Sequence, residues 1–361
     1  YVCFLSHSHT MGASESAPVV QYSRGVPNSK VPGSGAVFRS TFSPDELKQY
    51  MTPGVTTLFE NFKNGRDLNK DGNCLGTRSV VDGKPGPYTW ITYEEAFNKS
   101  VNIGRGLVSK NLFVPMTEVK EDINDTQGTS MVGLYSANRA EWVLAEQGVN
   151  AFSGCTVPLY DTLGPEAAAY IINHTGLETV VVSRQKLRPL CEVKDTTLKN
   201  VVLMEELTDE DREVASAAGL NIFSLQELEN EGFENQTMEP VPPKPKMLAT
   251  ICFTSGTTGN PKGAMLTHEN LIADAAGCYH SGVKLVATDT HISYLPLAHM
   301  FERIVQVVSV HCGVAIGFFR GDVLVLLEDI AELKPTLFPS VPRLFNKIFD
   351  KINDGVNKAG G

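Results

Sequence analysis

The sequence has no run of 20 apolar residues, no C-x-x-C pair and no excess of basic residues. A helix that spans a bilayer needs about 20 consecutive apolar residues. Lysine and arginine number 31 against 41 aspartate and glutamate, which gives a net charge of −10. This balance argues against a broad nucleic-acid-binding face. The seven cysteines favour reduced, buried thiols in a cytosolic-type compartment over a disulfide framework, because their number is odd and several lie in apolar surroundings.

The longest apolar stretch, residues 304–319, is interrupted by Gln306, His311 and Gly313. We therefore expect a buried helix, a break at the glycine and a buried strand. The chain has 361 residues, of which 42% are hydrophobic and 20% charged. That composition supports a sizeable core and about two domains.

Strand patterns alternate with helix patterns along most of the chain, which predicts an α/β fold with mostly parallel sheets. Four prolines between 239 and 246 exclude a helix or a central strand there. We accordingly expect an irregular tail over 1–53, a first α/β subdomain over 54–238, a Pro-rich linker over 239–246 and a second subdomain over 247–361.

The individual elements follow from β-branched runs and helical spacing. The expected strands are 131–135, 156–159, 179–182, 248–253, 291–295, 314–318 and 336–338. The expected helices begin at Tyr93, Pro165, His268, 300, 322 and Pro342, and a further helix carries Trp142. Asn138 is expected to cap that last helix.

One loop carries the strongest chemical signal: Thr254-Ser-Gly-Thr-Thr-Gly-Asn-Pro-Lys-Gly263. It follows an apolar strand and precedes the helix that begins at His268. Its glycines let backbone N–H groups approach an anion, its hydroxyls add donors, and Lys262 adds a positive charge. Pro261 before the lysine and Gly263 after it depart from the Walker pattern. The loop therefore suits a polyphosphate outside the phosphate-loop NTPase fold, with a solvent-exposed Gly/Thr loop as the alternative.

The loop resembles the signature of the adenylate-forming superfamily at each fixed position. Four more blocks are similar to eukaryotic long-chain acyl-CoA synthetases, and the resemblance runs from about Pro53 to Asp354. These blocks are Asn138-Arg-Ala-Glu-Trp142, Val157-Pro-Leu-Tyr-Asp-Thr-Leu-Gly164, Tyr294-Leu-Pro-Leu-Ala-His-Met-Phe-Glu-Arg303 and Lys334-Pro-Thr-Leu-Phe-Pro-Ser-Val-Pro-Arg343. The resemblance implies the N-terminal domain of the adenylate-forming fold, with layered, mostly parallel sheets and without its small C-terminal domain.

The resemblance also implies roles for particular residues. Lys262 and the loop would hold the β- and γ-phosphates of ATP and then pyrophosphate; the loop residues concerned are Thr254, Ser255, Gly256, Thr257, Thr258 and Gly259. His299, Met300 and Phe301 would border the acyl substrate, and Lys262 and His299 are the catalytic candidates. From the sequence alone, His299 also fits a core histidine at a helix start. Glu302 and Arg303 are adjacent, so on a helix they point in different directions, and a structural ion pair competes with a catalytic role.

The implied reaction is that of a long-chain fatty acid–CoA ligase, with ATP, Mg²⁺ and CoA as cofactors or co-substrates. Enzymes of this type often work at membranes, so peripheral association with the endoplasmic reticulum or peroxisome is an expectation, and nucleic acid is not. The residues indicate no metal ligands. Residues 67–73 copy the start of an EF-hand loop, but Arg78 occupies the position of its bidentate glutamate.

The family's ribose-binding, magnesium-binding and C-terminal lysine segments lie downstream of the matched region. We therefore expect a truncated N-terminal portion that lacks ligase turnover on its own. Two alternatives stay open at this point. The first is another adenylating ligase, acting on aryl or medium-chain acids. The second is a truncated, non-catalytic protein that binds nucleotide or acyl chains.

Overall fold

The computed structural model describes residues 2–4, 21–122, 126, 128–160, 165–254 and 260–358. The strands are β1 Val2–Phe4, β2 Ser23–Gly25, β3 Phe38–Ser40, β4 Asn73–Val81, β5 Lys84–Thr92, β6 Met131–Tyr135, β7 Cys155–Pro158, β8 Thr179–Val182, β9 Asn200–Leu203, β10 Asn221–Ser224, β11 Leu248–Thr254, β12 Lys262–Thr267, β13 Thr290–Ser293, β14 Ala315–Phe318 and β15 Leu337–Pro339. The helices are α1 Leu58–Leu68, α2 Tyr93–Ser109, α3 Ala140–Ala151, α4 Pro165–Thr175, α5 Arg184–Glu192, α6 Asp209–Ala217, α7 Leu225–Glu234, α8 His268–Tyr279, α9 Met300–His311, α10 Leu326–Leu333 and α11 Pro342–Lys358.

A seven-stranded sheet has the order β10-β9-β8-β6-β7-β11-β12. All its neighbouring pairs are parallel except the last, in which β12 runs antiparallel to β11. The inner strand β8 is a β-branched run buried at each position, as expected for a strand covered on both faces. The predicted α/β fold with mostly parallel strands is confirmed.

A six-stranded sheet has the order β1-β15-β13-β14-β4-β5. Its inner strands are parallel, and β1 and β5 join the two edges antiparallel. The long β4–β5 hairpin turns at Asp82 and Gly83, both with positive φ, as a two-residue primed turn requires. The short strands β2 and β3 form a separate antiparallel pair within the stretch that the sequence predicts to be irregular.

Helices α2, α3 and α7 pack closely together beside the sheets, and Trp142 and Tyr93 are among their fully buried side chains. A Cβ on Gly104 of α2 would lie 2.5 Å from the carbonyl oxygen of Gly148 on α3. The two backbones can approach this closely only because both positions lack a side chain. This contact fixes α3, whose N-terminal end lies next to the candidate site.

The stretch 304–319 has the predicted organisation. Helix α9 ends at His311, Gly313 adopts a φ of +71°, and β14 is buried throughout. Among the described residues, no helix has both the length and the apolar character needed to cross a membrane. Six cysteines are free thiols, and all of them except Cys278 are buried: Cys74, Cys155, Cys191, Cys252, Cys278 and Cys312.

The Pro-rich segment 239–246 contains no helix or strand, as predicted, and leads from α7 to β11. Each sheet nevertheless takes strands from both sides of this segment. The domain boundary at 239–246 therefore stays a prediction made from the sequence. The structure also corrects one local expectation: the helix expected from 322 begins as a 3₁₀ turn at Val323–Val325, and α10 follows at Leu326.

Candidate active site

The signature loop connects the two strands of a β-hairpin. Strand β11 ends at Thr254, β12 begins at Lys262, and these two residues face each other across the hairpin. The Thr254 Oγ1 atom lies 3.5 Å from the Lys262 carbonyl oxygen, and both residues are exposed. The predicted phosphate-binding residues Ser255, Gly256, Thr257, Thr258 and Gly259 lie outside the described residues. The structure therefore describes Thr254 before these five residues and Lys262 after them.

Strand β12 is a feature that the sequence reasoning missed, because it expected the loop to lead towards a helix. The antiparallel pairing places the loop at the end of a hairpin, six residues before α8 begins. Gly263 is required by packing within this hairpin: a Cβ there would lie 2.8 Å from Cγ2 of Ile251. The loop thus differs from a Walker loop in its fold context as well as in its sequence.

The predicted substrate residues lie at the start of α9, beside the strands that end near the loop. The His299 ring meets the Tyr160 ring edge-on, with 6.1 Å between centroids, and Tyr160 follows β7. The Met300 Sδ atom lies 3.5 Å from the Sγ of Cys252 on β11. Because β7 and β11 are parallel neighbours, these contacts place His299 and Met300 at the carboxyl ends of the strands, where open α/β sheets bind ligands.

The His299 side chain is exposed and is not part of the core. His299 is the N-cap residue of α9 in extended conformation, but its side chain makes no capping hydrogen bond. Phe301, two residues further on, is 37% exposed. An imidazole and an aromatic ring on the first turn of the helix are thus free to meet a ligand. The sequence reasoning did not single out Tyr160, although it lies within one of the blocks that resemble the family.

The charged residues Glu302 and Arg303 point in different directions, as predicted, and each finds a buried partner. Glu302 Oε1 pairs with His291 Nε2 at 2.9 Å, and both side chains are fully buried. Arg303 pairs with Glu146 on α3. Burial opposes the charge of Arg303, yet the Glu146 carboxylate raises its pKa above the ordinary arginine value. Both residues therefore serve as structural anchors of α9.

The described residues contain no group of three His, Cys, Asp or Glu side chains placed to hold a metal ion. What the site offers instead is an anion-binding donor set: a hydroxyl at Thr254 and a free ammonium group at Lys262, both exposed at the end of the hairpin that the loop connects. These donors fit a phosphate group better than a cation.

The sequence of this chain is similar to those of known enzymes. A model of the AMP-binding enzyme family matches residues 71–359. Long chain acyl-CoA synthetase 6, peroxisomal, of Arabidopsis thaliana is 39% identical over 98% of this chain and 51% of the relative. Long-chain-fatty-acid--CoA ligase 1 of Homo sapiens is 41% identical over 90% of this chain and 45% of the relative. The chain spans about half the length of these curated relatives.

Solved structures show the same fold at low sequence identity. The adenylation domain of a carboxylic acid reductase from Segniliparus rugosus, in complex with AMP and a co-purified carboxylic acid, superposes with a TM-score of 0.69 at 18% identity. The match covers 86% of this chain and 52% of that one. A long-chain-fatty-acid-CoA ligase from Archaeoglobus fulgidus gives a TM-score of 0.65 at 20% identity, over 83% of this chain and 54% of that one.

Proposed function

The chain belongs to the AMP-binding enzyme family, and from this premise we propose that it takes part in the ATP-dependent activation of long-chain fatty acids. The product of the first step is an acyl-adenylate and that of the second an acyl-CoA. The observation that carries the proposal is the hairpin of Thr254 and Lys262, with the signature loop at its tip, at the edge of the sheet where His299 lies. The names of the relatives at about 40% identity support the acyl class.

The loop residues Thr254 to Gly259 and the Lys262 ammonium bind the β- and γ-phosphates of ATP in this proposal. The charge on the phosphates grows as pyrophosphate departs, so donors held in place stabilise the transition state more than the ground state. Mg²⁺, which the resemblance implies as a cofactor, would neutralise part of the charge on the phosphates. The backbone of Lys262 is held by its pairing with Thr254 at the first position of β12.

His299, Met300 and Phe301 border the fatty acid in the proposal. A carboxylate oxygen of the acid attacks the α-phosphorus of ATP, and the bond to the bridging oxygen of pyrophosphate breaks. The thiol sulfur of CoA then attacks the acyl carbon, loses its proton and displaces AMP. The chain's contribution to the first step is positioning and charge stabilisation. Because the chain spans about half of its relatives, complete turnover belongs to the whole protein.

A peripheral association with an intracellular membrane is part of the proposal, because a long-chain fatty acid partitions into lipid. The relatives include two from Arabidopsis thaliana that are named peroxisomal, which supports the peroxisome as one location. The endoplasmic reticulum remains the alternative that the acyl class suggests.

The test is fatty-acid-dependent exchange of pyrophosphate into ATP by the natural full-length protein. The variant Lys262→Ala should slow exchange on the order of 10²-fold, as the loss of one transition-state donor does elsewhere. The matched control is Lys284→Ala, another exposed lysine, which lies in the connection between α8 and β13, outside the signature loop. Unchanged exchange in Lys262→Ala, or an equal loss in both variants, would overturn the role of Lys262. Stronger exchange with aryl or medium-chain acids than with palmitate would overturn the long-chain assignment.

A further inference from the structure

Asn138 connects the two sheets at the ends of their strands. It follows β6 of the seven-stranded sheet, and its side chain reaches the segment after β13 of the six-stranded sheet. Its Nδ2 group donates to the Leu295 carbonyl oxygen at 2.6 Å and to Ser293 Oγ at 2.9 Å. Its Oδ1 atom accepts the backbone N–H of Leu297 at 2.9 Å. The Asn138 side chain is only 6% exposed. Its two amide protons and its carbonyl oxygen all form hydrogen bonds with the five-residue segment 293–297.

This segment leads directly to His299. Pro296 has no N–H of its own, and Asn138 holds the residues on either side of it. The backbone N–H of His299 donates to the Pro296 carbonyl oxygen at 2.8 Å, which closes a turn. A shift of 295–297 is therefore transmitted to His299 and to the first turn of α9.

A second set of hydrogen bonds fixes α9 to β13. Gln306 Nε2 donates to Ser293 Oγ at 3.0 Å and to Glu302 Oε1 at 3.2 Å. Glu302 in turn pairs with His291 on β13. Within this network, Asn138 is the member that comes from the other sheet, so it sets where the turn lies relative to β7 and Tyr160.

We propose that Asn138 is a positioning residue for acyl-adenylate formation: by holding residues 295–297 it keeps His299 beside Tyr160 at the carboxyl ends of the strands. The kinetic part of this inference rests on the proposed function. A displacement of about 1 Å in a positioned group can cost on the order of 10²-fold in rate. Loss of the three hydrogen bonds should therefore reduce kcat without a matching change in the KM for ATP.

The experiment compares Asn138→Ala with Asn61→Ala in the natural full-length protein. Asn61 is equally buried, at 2% exposed, but it binds the distal half of α9: Nδ2 donates to the Val307 carbonyl oxygen at 3.0 Å and Oδ1 pairs with His311 Nδ1 at 2.9 Å. Both variants lose buried amide hydrogen bonds, so both should lose stability. Only Asn138→Ala should lower kcat for pyrophosphate exchange, by about 10-fold or more.

A double variant separates positioning from general damage. If Asn138 acts through His299, the variant that combines Asn138→Ala with His299→Ala should exchange pyrophosphate within about 2-fold of His299→Ala alone, because coupled residues are not additive. The proposal would be overturned if the losses of exchange rate in Asn138→Ala and His299→Ala multiplied in the double variant. An equal loss of kcat in Asn61→Ala would also overturn it. Asn138→Ser serves if the alanine variant does not fold. Its hydroxyl can replace part of the lost hydrogen bonding without burying a charge, so its kcat should lie between wild type and Asn138→Ala.

Hydrogen exchange gives a readout that does not depend on activity. The amide of Leu297 should exchange faster in Asn138→Ala than in wild type and should be unchanged in Asn61→Ala. An unchanged rate at Leu297 in Asn138→Ala would overturn the positioning role alone. Absence of fatty-acid-dependent pyrophosphate exchange in the unmodified protein would instead overturn the proposed function, so the two failures are distinguishable.

Discussion

A histidine stands at each end of α9, and the two lie in opposite environments. His299, just before the helix, is exposed and contacts the ring of Tyr160. His311, the last helical residue, is 4% exposed and bonds to Thr52 and Asn61. A helix C-terminus favours a cation, yet burial, assisted by the charge of His280, lowers the pKa of His311 to about 4. Desolvation outweighs the helix dipole there, so His311 is a neutral packing residue near neutral pH.

The comparison shows that position on a helix does not assign a role to a histidine. The end of α9 that faces the candidate site is held by buried polar side chains from both sheets, and it leaves one imidazole exposed. The other end packs into the core against α1 and α8. Exposure combined with a fixed backbone is what distinguishes the His299 end of the helix, which we propose borders the substrate.

The largest expected effect comes from breaking the buried ion pair of Arg303 and Glu146, which lies near the His299 end of α9. Arg303→Ala leaves the buried Glu146 carboxylate without its partner, and removal of one member of a buried pair costs about 3–5 kcal/mol of folding free energy. Urea unfolding followed by circular dichroism measures the loss. Arg188→Ala is the control, because its pair with Glu210 is exposed on both sides and should contribute less than about 1 kcal/mol. Similar losses in the two variants would contradict a structural role for the Arg303 pair.

The second effect concerns the exposed histidine. His299→Ala should reduce pyrophosphate exchange on the order of 10²-fold, the size seen when one positioned catalytic group is removed. Its melting temperature should change little, because the lost side chain is exposed. His311→Ala should show the reverse pattern, with lower thermal stability and nearly unchanged kcat. If His311→Ala instead lost activity without losing stability, the distinction between the two ends of α9 would be wrong.

The smallest effect is a pH dependence of stability. The pKa of His311 is about 4 in the folded protein against 6.5 as the ordinary value. Above about pH 6.5 both states are neutral at this residue and stability is unaffected. As pH falls from 6.5 towards 4, the unfolded state takes up a proton that the folded state refuses, so stability decreases.

His311→Gln should flatten the decrease in stability over this pH range, as measured by urea midpoints from pH 7 to pH 4. Part of the decrease should remain, because burial also lowers the pKa of His268, to about 3. Identical slopes in the variant and the wild type would show that His311 is not held neutral by burial.

Much of the fold could be predicted from local patterns. The strands at 131–135 and 179–182 have the predicted bounds, and α2 begins at Tyr93 as expected. Four helices were missed: α1, α5, α6 and α7. All but α5 begin with a capping box that the sequence displays: Thr57 with Glu60, Thr208 with Asp211, and Ser224 with Glu227. The capping-box pattern would have found α1, α6 and α7, so these misses reflect a signal left unused.

Strand β12 and Asn138 are misses of another kind. Strand β12 is a half-exposed edge strand that contains a glycine, and only pairing with β11 makes it a strand. Asn138 has the residue type of a helix cap, but Arg139 occupies the N-cap position of α3 and makes no side-chain cap bond. The Asn138 amide is used on the segment 293–297 instead, because those backbone groups are buried and need partners.

The sequence by itself determined the α/β class, the apolar strands and the chemistry of the loop between Thr254 and Gly263, since these depend on residue type and spacing along a short stretch of chain. The tertiary structure decided which polar side chains meet across 155 or more residues and which histidine stays exposed. Such contacts depend on how two sheets pack, and desolvation, which ranks the histidines at the ends of α9, is a property of the packed protein rather than of any local segment.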